Sequence, residues 1–221
     1  MRHIISAISA AVVLATGSAQ AAPTSFSFNG SFDRANEVQT FTFTANGSST
    51  VRLITYSYGG GTQANGNGVS AGGFDPILAL FDSAGAFINQ NDDASSGTVG
   101  ACGASAVTSD FGNAWDTCLD LTLAAGLYTV SIMQYDNFAL GPNLSDGFRY
   151  DGNPGFLNTC GSGTGFCDAG GRDRTNLWAF DILNVEQANQ TPGNDVPEPA
   201  SIALLGLGLA GVAAARRRKQ A

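Results

Sequence analysis

Between Ser25 and Tyr58 the chain alternates, one apolar residue against one polar, and no stretch from residue 22 to residue 190 repeats with a helical period. Ser25-Phe26-Ser27-Phe28 places aromatics on one face, and Val38-Gln39-Thr40-Phe41-Thr42-Phe43-Thr44 does so again. Thr50 to Tyr58 adds Val51, Leu53, Ile54, Tyr56 and Tyr58. Side chains of a strand alternate across the sheet, so such runs of aromatic and β-branched residues predict strands with one buried face. Asn46-Gly47 between two of them predicts a tight hairpin turn, because both turn positions need positive φ. The expected class is all-β, a single antiparallel β-sandwich.

One segment breaks the alternation. Ile77 to Phe81 is apolar at every position, which predicts a strand covered on both faces. Asp82-Ser83-Ala84-Gly85 has turn composition, and Phe87-Ile88 returns as a second arm that runs into Asn89-Gln90-Asn91-Asp92-Asp93. Leu127 to Tyr135 reads as another strand, and Thr175 to Val185 as the strand that closes the sheet. Gly59 to Gly73, rich in glycine and asparagine, is long for a loop of a compact domain. A flexible surface insertion is the simpler expectation for it, a functional loop the other.

Two blocks, Asp75-Pro76-Ile77-Leu78-Ala79-Leu80-Phe81-Asp82-Ser83-Ala84-Gly85 with Asn91-Asp92-Asp93, and Leu123-Ala124-Ala125-Gly126-Leu127-Tyr128-Thr129-Val130, resemble the bacterial pre-peptidase C-terminal-like domain. The resemblance implies a jelly-roll-like sandwich with a binding or accessory role. The insertion at 59–73 and the cysteine-bearing loops at 99–118 and 136–173 depart from that pattern.

The two ends read as addresses. Met1-Arg2-His3, an apolar run to Gly17 and Ala19-Gln20-Ala21 form a secretory leader over residues 1–21, cleaved before Ala22. The secreted domain would occupy 22–190, followed by a linker at 191–199. At the far end come Val196-Pro197-Glu198-Pro199, an uncharged run at 200–215, and a basic tail at 216–221 with Arg216, Arg217, Arg218 and Lys219. As a helix the uncharged run spans roughly 24 Å, short for a hydrocarbon core of about 30 Å but sufficient with snorkelling cations. It is expected to be a short transmembrane helix with its cations on the cytoplasmic side. The order of signal, apolar run and basic cluster resembles the PEP-CTERM sorting signal of Gram-negative bacteria. That resemblance implies signal peptidase and an exosortase as partners during export, transient residence in the inner membrane, then the cell surface or the extracellular biofilm matrix, where exopolysaccharide is a candidate partner. Gly206-Leu207-Gly208-Leu209-Ala210-Gly211 spells a dinucleotide fingerprint, but no strand precedes it and the chain ends before an acidic partner.

Composition narrows the chemistry. Without leader and tail, five arginines stand against 18 carboxylates, a net charge near −13. Nucleic acid, which needs clustered cations, is excluded as a partner. The one histidine is His3 and the one lysine is Lys219, so the exported part has neither. Histidine-dependent base catalysis, serine triads and Schiff-base chemistry are therefore excluded. A carboxylate-dependent polysaccharide hydrolase, with a pair such as Asp92 and Asp136, is the enzymatic alternative that composition leaves. The expectation is a non-catalytic binding or structural protein.

Cys102, Cys118, Cys160 and Cys167 should form disulfides after export. Three connectivities are open, of which Cys102–Cys118 with Cys160–Cys167 is the local one, and a four-thiolate zinc site is the competitor. Asp75, Asp82, Asn91, Asp92, Asp93 and Asp136 fall at strand ends and turns, and their oxygens suit calcium. A calcium-dependent adhesin is the corresponding alternative. A carbohydrate-binding face could draw on Tyr56, Tyr58, Trp115, Tyr135, Phe138, Tyr150 and Trp178.

Overall fold

The computed structural model describes residues 24–153 and 165–192. The leader, Cys160, the Val196–Pro199 signal, the uncharged run and the basic tail lie outside the described residues. Among the described residues no helix is long and apolar enough to cross a membrane.

Among the described residues there are eleven strands: β1 (Thr24–Ser31), β2 (Val38–Ala45), β3 (Thr50–Thr55), β4 (Gly61–Thr62), β5 (Gly68–Val69), β6 (Pro76–Asp82), β7 (Phe87–Asn91), β8 (Cys118–Thr122), β9 (Gly126–Gln134), β10 (Leu177–Val185) and β11 (Gln187–Gln190). They form two antiparallel sheets, β1-β10-β3-β8 and β11-β2-β9-β6-β7, with β4-β5 as a separate ribbon. The fold is an all-β sandwich, as the alternation predicts. Phe41, Phe43, Val51, Leu53, Leu78, Leu80, Val130, Ile132, Phe180 and Ile182 meet between the sheets. Phe41 is the hub of an aromatic group with Phe28, Trp178 and Phe180, at ring separations of 4.8 to 5.7 Å.

Strand β6 is covered on both faces, and alternation decides what covers each. Leu78 and Leu80 enter the core between the sheets. Ile77, Ala79 and Phe81 point outward, under Phe138, Ala139, Leu144 and Phe148 from the loop after β9. The other sheet is covered by the loop before β8. Ile54 and Leu183 pack there with Ala94, Val107 and the disulfide sulfurs' residues, Cys102 and Cys118. Each of the two cysteine-bearing loops that depart from the resembled pattern thus roofs one sheet.

Three expectations need correction. The Thr175–Val185 strand does not close an edge: β10 lies inside its sheet between β1 and β3. Residues 59–73 are not a loose insertion but the β4-β5 ribbon, pinned to the sandwich. Gln63 Nε2 donates to the Phe28 carbonyl at 3.0 Å and to Asp181 Oδ1 at 3.1 Å, and the Ala64 amide donates to Asp181 Oδ2 at 2.7 Å. The Gly73 amide donates to the Ser57 carbonyl at 2.8 Å. A side chain at Gly73 would strike that same carbonyl, because a Cβ there would lie 2.5 Å from it. Finally, Asn46-Gly47 does not join a hairpin: β2 and β3 lie in different sheets, so this turn carries the chain from one sheet to the other, with positive φ at Gly47 alone of the two.

Candidate metal centre

The β6-β7 hairpin sets the geometry. Its register pairs Leu78 with Asn91, so the residues just beyond those ends, Asp75 on one arm and Asp92 and Asp93 on the other, arrive at the same place. One carboxylate oxygen from each lies within 4.8 Å of the others. Asp75 is buried and the other two are half-buried. Asp75 Oδ1, Asp92 Oδ1 and Asp93 Oδ1 are inaccessible to solvent and accept no hydrogen bond.

Such an arrangement is electrostatically costly. Burial raises the Asp75 carboxyl to about 9, with the charges of Asp92 and Asp93 adding to the effect. Burial first, then Asp93 and Asp136, raises Asp92 to about 7. Burial also raises Asp93. Desolvation and like charge act in the same direction, toward the protonated form. A bound cation acts in the opposite direction, and ligands on opposite sides of a calcium ion stand about 4.8 Å apart.

The other sequence candidates lie elsewhere or are engaged. Asp82 Oδ1 accepts the amides of Ala84 and Ala86 at 2.9 and 2.8 Å, which builds the hairpin turn. Asn91 bonds through Nδ2 to the Cys118 carbonyl at 3.3 Å and accepts from the Ser96 hydroxyl, so it ties β7 to the disulfide loop. Asp136 accepts from Arg149 Nη1 and, at 2.6 Å, from the Tyr150 hydroxyl. Asp136 has positive φ (73°) and sits close enough to shift Asp92, but its oxygens are occupied. The suggested hydrolytic pair therefore has one member turned to an arginine and the other to two carboxylates.

The aromatic candidates do not gather on one face. Tyr58 is fully buried, with Trp115 against its ring at 5.0 Å and the Arg174 guanidinium 3.8 Å from its centroid. Tyr135 and Phe138 belong to the roof over β6. Trp178 is part of the main core. Cys102 and Cys118 form a disulfide with Cα atoms 5.4 Å apart. Cys167 is also disulfide-bonded.

Sequence inspection missed a second buried carboxylate. Asp116 accepts from the Thr55 hydroxyl at 2.8 Å, the Tyr58 amide at 3.1 Å and the Gly59 amide at 2.7 Å. It is wholly buried, and burial raises its carboxyl to about 6 against the lowering effect of those donors. Trp115-Asp116-Thr117 carries no local motif, so no one-dimensional signal could have found it.

The fold and the cluster define a β-sandwich with a buried three-carboxylate site at one end of a hairpin. Residues 195–219 match the PEP-CTERM protein-sorting motif. The motif supports export, sorting toward the cell surface and an exosortase as processing partner. No curated protein matches the chain.

Proposed function

We propose that the chain is an exported, non-catalytic surface or matrix protein whose sandwich is clamped by a calcium ion held by Asp75, Asp92 and Asp93. The observation that supports the metal most directly is the set of three buried carboxylate oxygens without a donor. Buried polar atoms are nearly always paired, and buried charges are paired or coordinate metals. Calcium suits hard oxygen ligands, and carbonyls and water complete its shell. The ion would tie the start of β6 to the end of β7, where the chain enters the disulfide loop. The accessory role, rather than turnover, is supported by Asp92 and Asp136 having separate partners.

Calorimetric titration of the full chain, with thermal denaturation, tests the metal. Calcium should give saturable heat and raise Tm, magnesium should do so much less because it sheds water reluctantly, and Asp75→Asn should abolish both responses. No heat and no stabilisation at millimolar calcium would overturn it. The surface role is tested by fractionating cells with and without an exosortase. The processed form should leave the membrane fraction only when the exosortase is present.

A further inference from the structure

A groove separate from the carboxylate cluster runs between the β4-β5 ribbon and the paired ends of β1 and β10. Its volume is about 740 Å³, and its fifteen lining residues include Asn29, Ser31, Asn67, Ser70 and Thr175. None of the fifteen is charged. In a chain whose exported part carries a net charge near −13, an uncharged groove of this size is a distinct chemical environment. Two further lining residues, Gln63 and Trp178, are each only 3 % exposed, and Gln63 Oε1 and Trp178 Nε1 have no hydrogen-bond partner. Those two atoms are themselves closed to solvent, so the polar groups a ligand can reach are the amides and hydroxyls of the exposed rim.

The wall is rigid. Asp181 is a fully buried carboxylate whose two oxygens are committed to Gln63 and Ala64 of the ribbon. On the other side Gly30 lies against the Trp178 indole, where a Cβ would come within 2.4 Å of the ring. A wall fixed before binding loses little entropy when a ligand is taken up. Pockets of this kind, apolar at the floor with a few convergent polar groups, take small organic ligands of roughly 300–1,000 Å³.

We propose that the groove binds a short segment of uncharged polysaccharide. Sugar hydroxyls both donate and accept, which matches the mixed amide and hydroxyl rim of Asn29, Ser31, Asn67, Ser70 and Thr175. Sugar C–H faces match Val69, Leu177 and the glycines. An anionic glycan finds no cation in the lining and meets the net negative charge of the domain. The proposal goes beyond the surface or matrix role given above and does not depend on the metal, because no member of the carboxylate cluster lines the groove.

The test uses the full chain carrying Trp115→Phe, so that Trp178 is the sole indole emitter. The probes are gluco-, manno- and xylo-hexaoses, with an alginate oligomer as the anionic counterpart, followed by fluorescence and calorimetry. At least one neutral hexaose should shift the emission saturably, and alginate should not. Gly68→Tyr should weaken binding by at least roughly tenfold with Tm unchanged, because a Cβ at Gly68 meets nothing within 4 Å and can carry a ring into the groove. Should that variant fold poorly, Asn29→Ala on the exposed rim should weaken binding severalfold instead. No response to any neutral hexaose at about 10 mM, an equal response to alginate, or wild-type affinity in both groove variants would each overturn the proposal. Because calcium binding is read separately by heat and Tm, failure here leaves the metal reading intact, and the reverse.

Discussion

Asp116 and Asp75 are the same residue type at the same depth in one domain, yet their surroundings are opposite. Three donors from β3 and the turn after it converge on Asp116. Asp75 faces two other carboxylates and has an oxygen with no donor at all. The first is finished by the protein itself and joins β3 to the disulfide loop. The second has no such donors and is the one proposed to hold a cation. The difference teaches that burial alone does not mark a site: the donor inventory separates a structural carboxylate from a ligand.

Removing the finished carboxylate should have the largest effect. Asp116→Ala strands two buried amides and a hydroxyl, at a cost of roughly 3–5 kcal/mol. Urea unfolding measures it, and Asp116→Asn should lose less because it keeps one acceptor. Next comes the frame around it. Replacing Cys102 and Cys118 together by serine opens a loop with a sequence separation of 16, which costs about 3 kcal/mol by chain entropy. The same denaturation curve reports it, and reduction of the wild type should cost more, because it also opens the disulfide of Cys167.

At the unfinished site the sign reverses. Asp75→Asn removes the cost of taking up a proton on folding, so without metal at pH 8 it should raise Tm by a few degrees. Loss of Tm in this variant without metal would mean that Asp75 is structural, like Asp116, and would erase the contrast. The pH dependence follows from the same residue. Asp75 titrates at about 9 when folded, against about 3.9 in an unfolded chain. Between those values the folded state holds a proton that the unfolded chain has lost, so metal-free stability from this group falls as pH rises through that window. Calcium should therefore stabilise more at pH 8 than at pH 5 and release protons on binding, measurable by calorimetry in buffers of different ionisation enthalpy. The smallest effect is expected at Phe111, which is exposed, has φ of 48° and stacks 4.8 Å from the Arg172 guanidinium. Phe111→Gly relieves the backbone and loses the stacking, so stability should change by less than about 1 kcal/mol.

Much of the framework was legible because strand burial writes a local code. The alternation at Val38–Thr44 and the unbroken apolar run at Ile77–Phe81 announced one-faced and two-faced strands, and both are found so. Asp75, Asp92 and Asp93 could be nominated because the hairpin that unites them is itself local. Asp82, Asn91 and Asp136 carried the same signal, yet their oxygens are bonded to amides, a serine and an arginine. Composition cannot tell a turn-building carboxylate from a ligand when both are acidic residues at strand ends.

The chain by itself therefore determined what depends on near neighbours: the strand period, the hairpin that collects three acids, and the sorting motif at 195–219. Tertiary structure alone decided what depends on distant contacts. It buried Asp116 under a turn about 60 residues away in sequence and laid one long loop over each sheet. It also fixed a glycine-rich ribbon beside β1 and β10 through Asp181. Those outcomes follow from which donors happen to meet which acceptors after collapse, and a residue's own identity carries no record of that meeting.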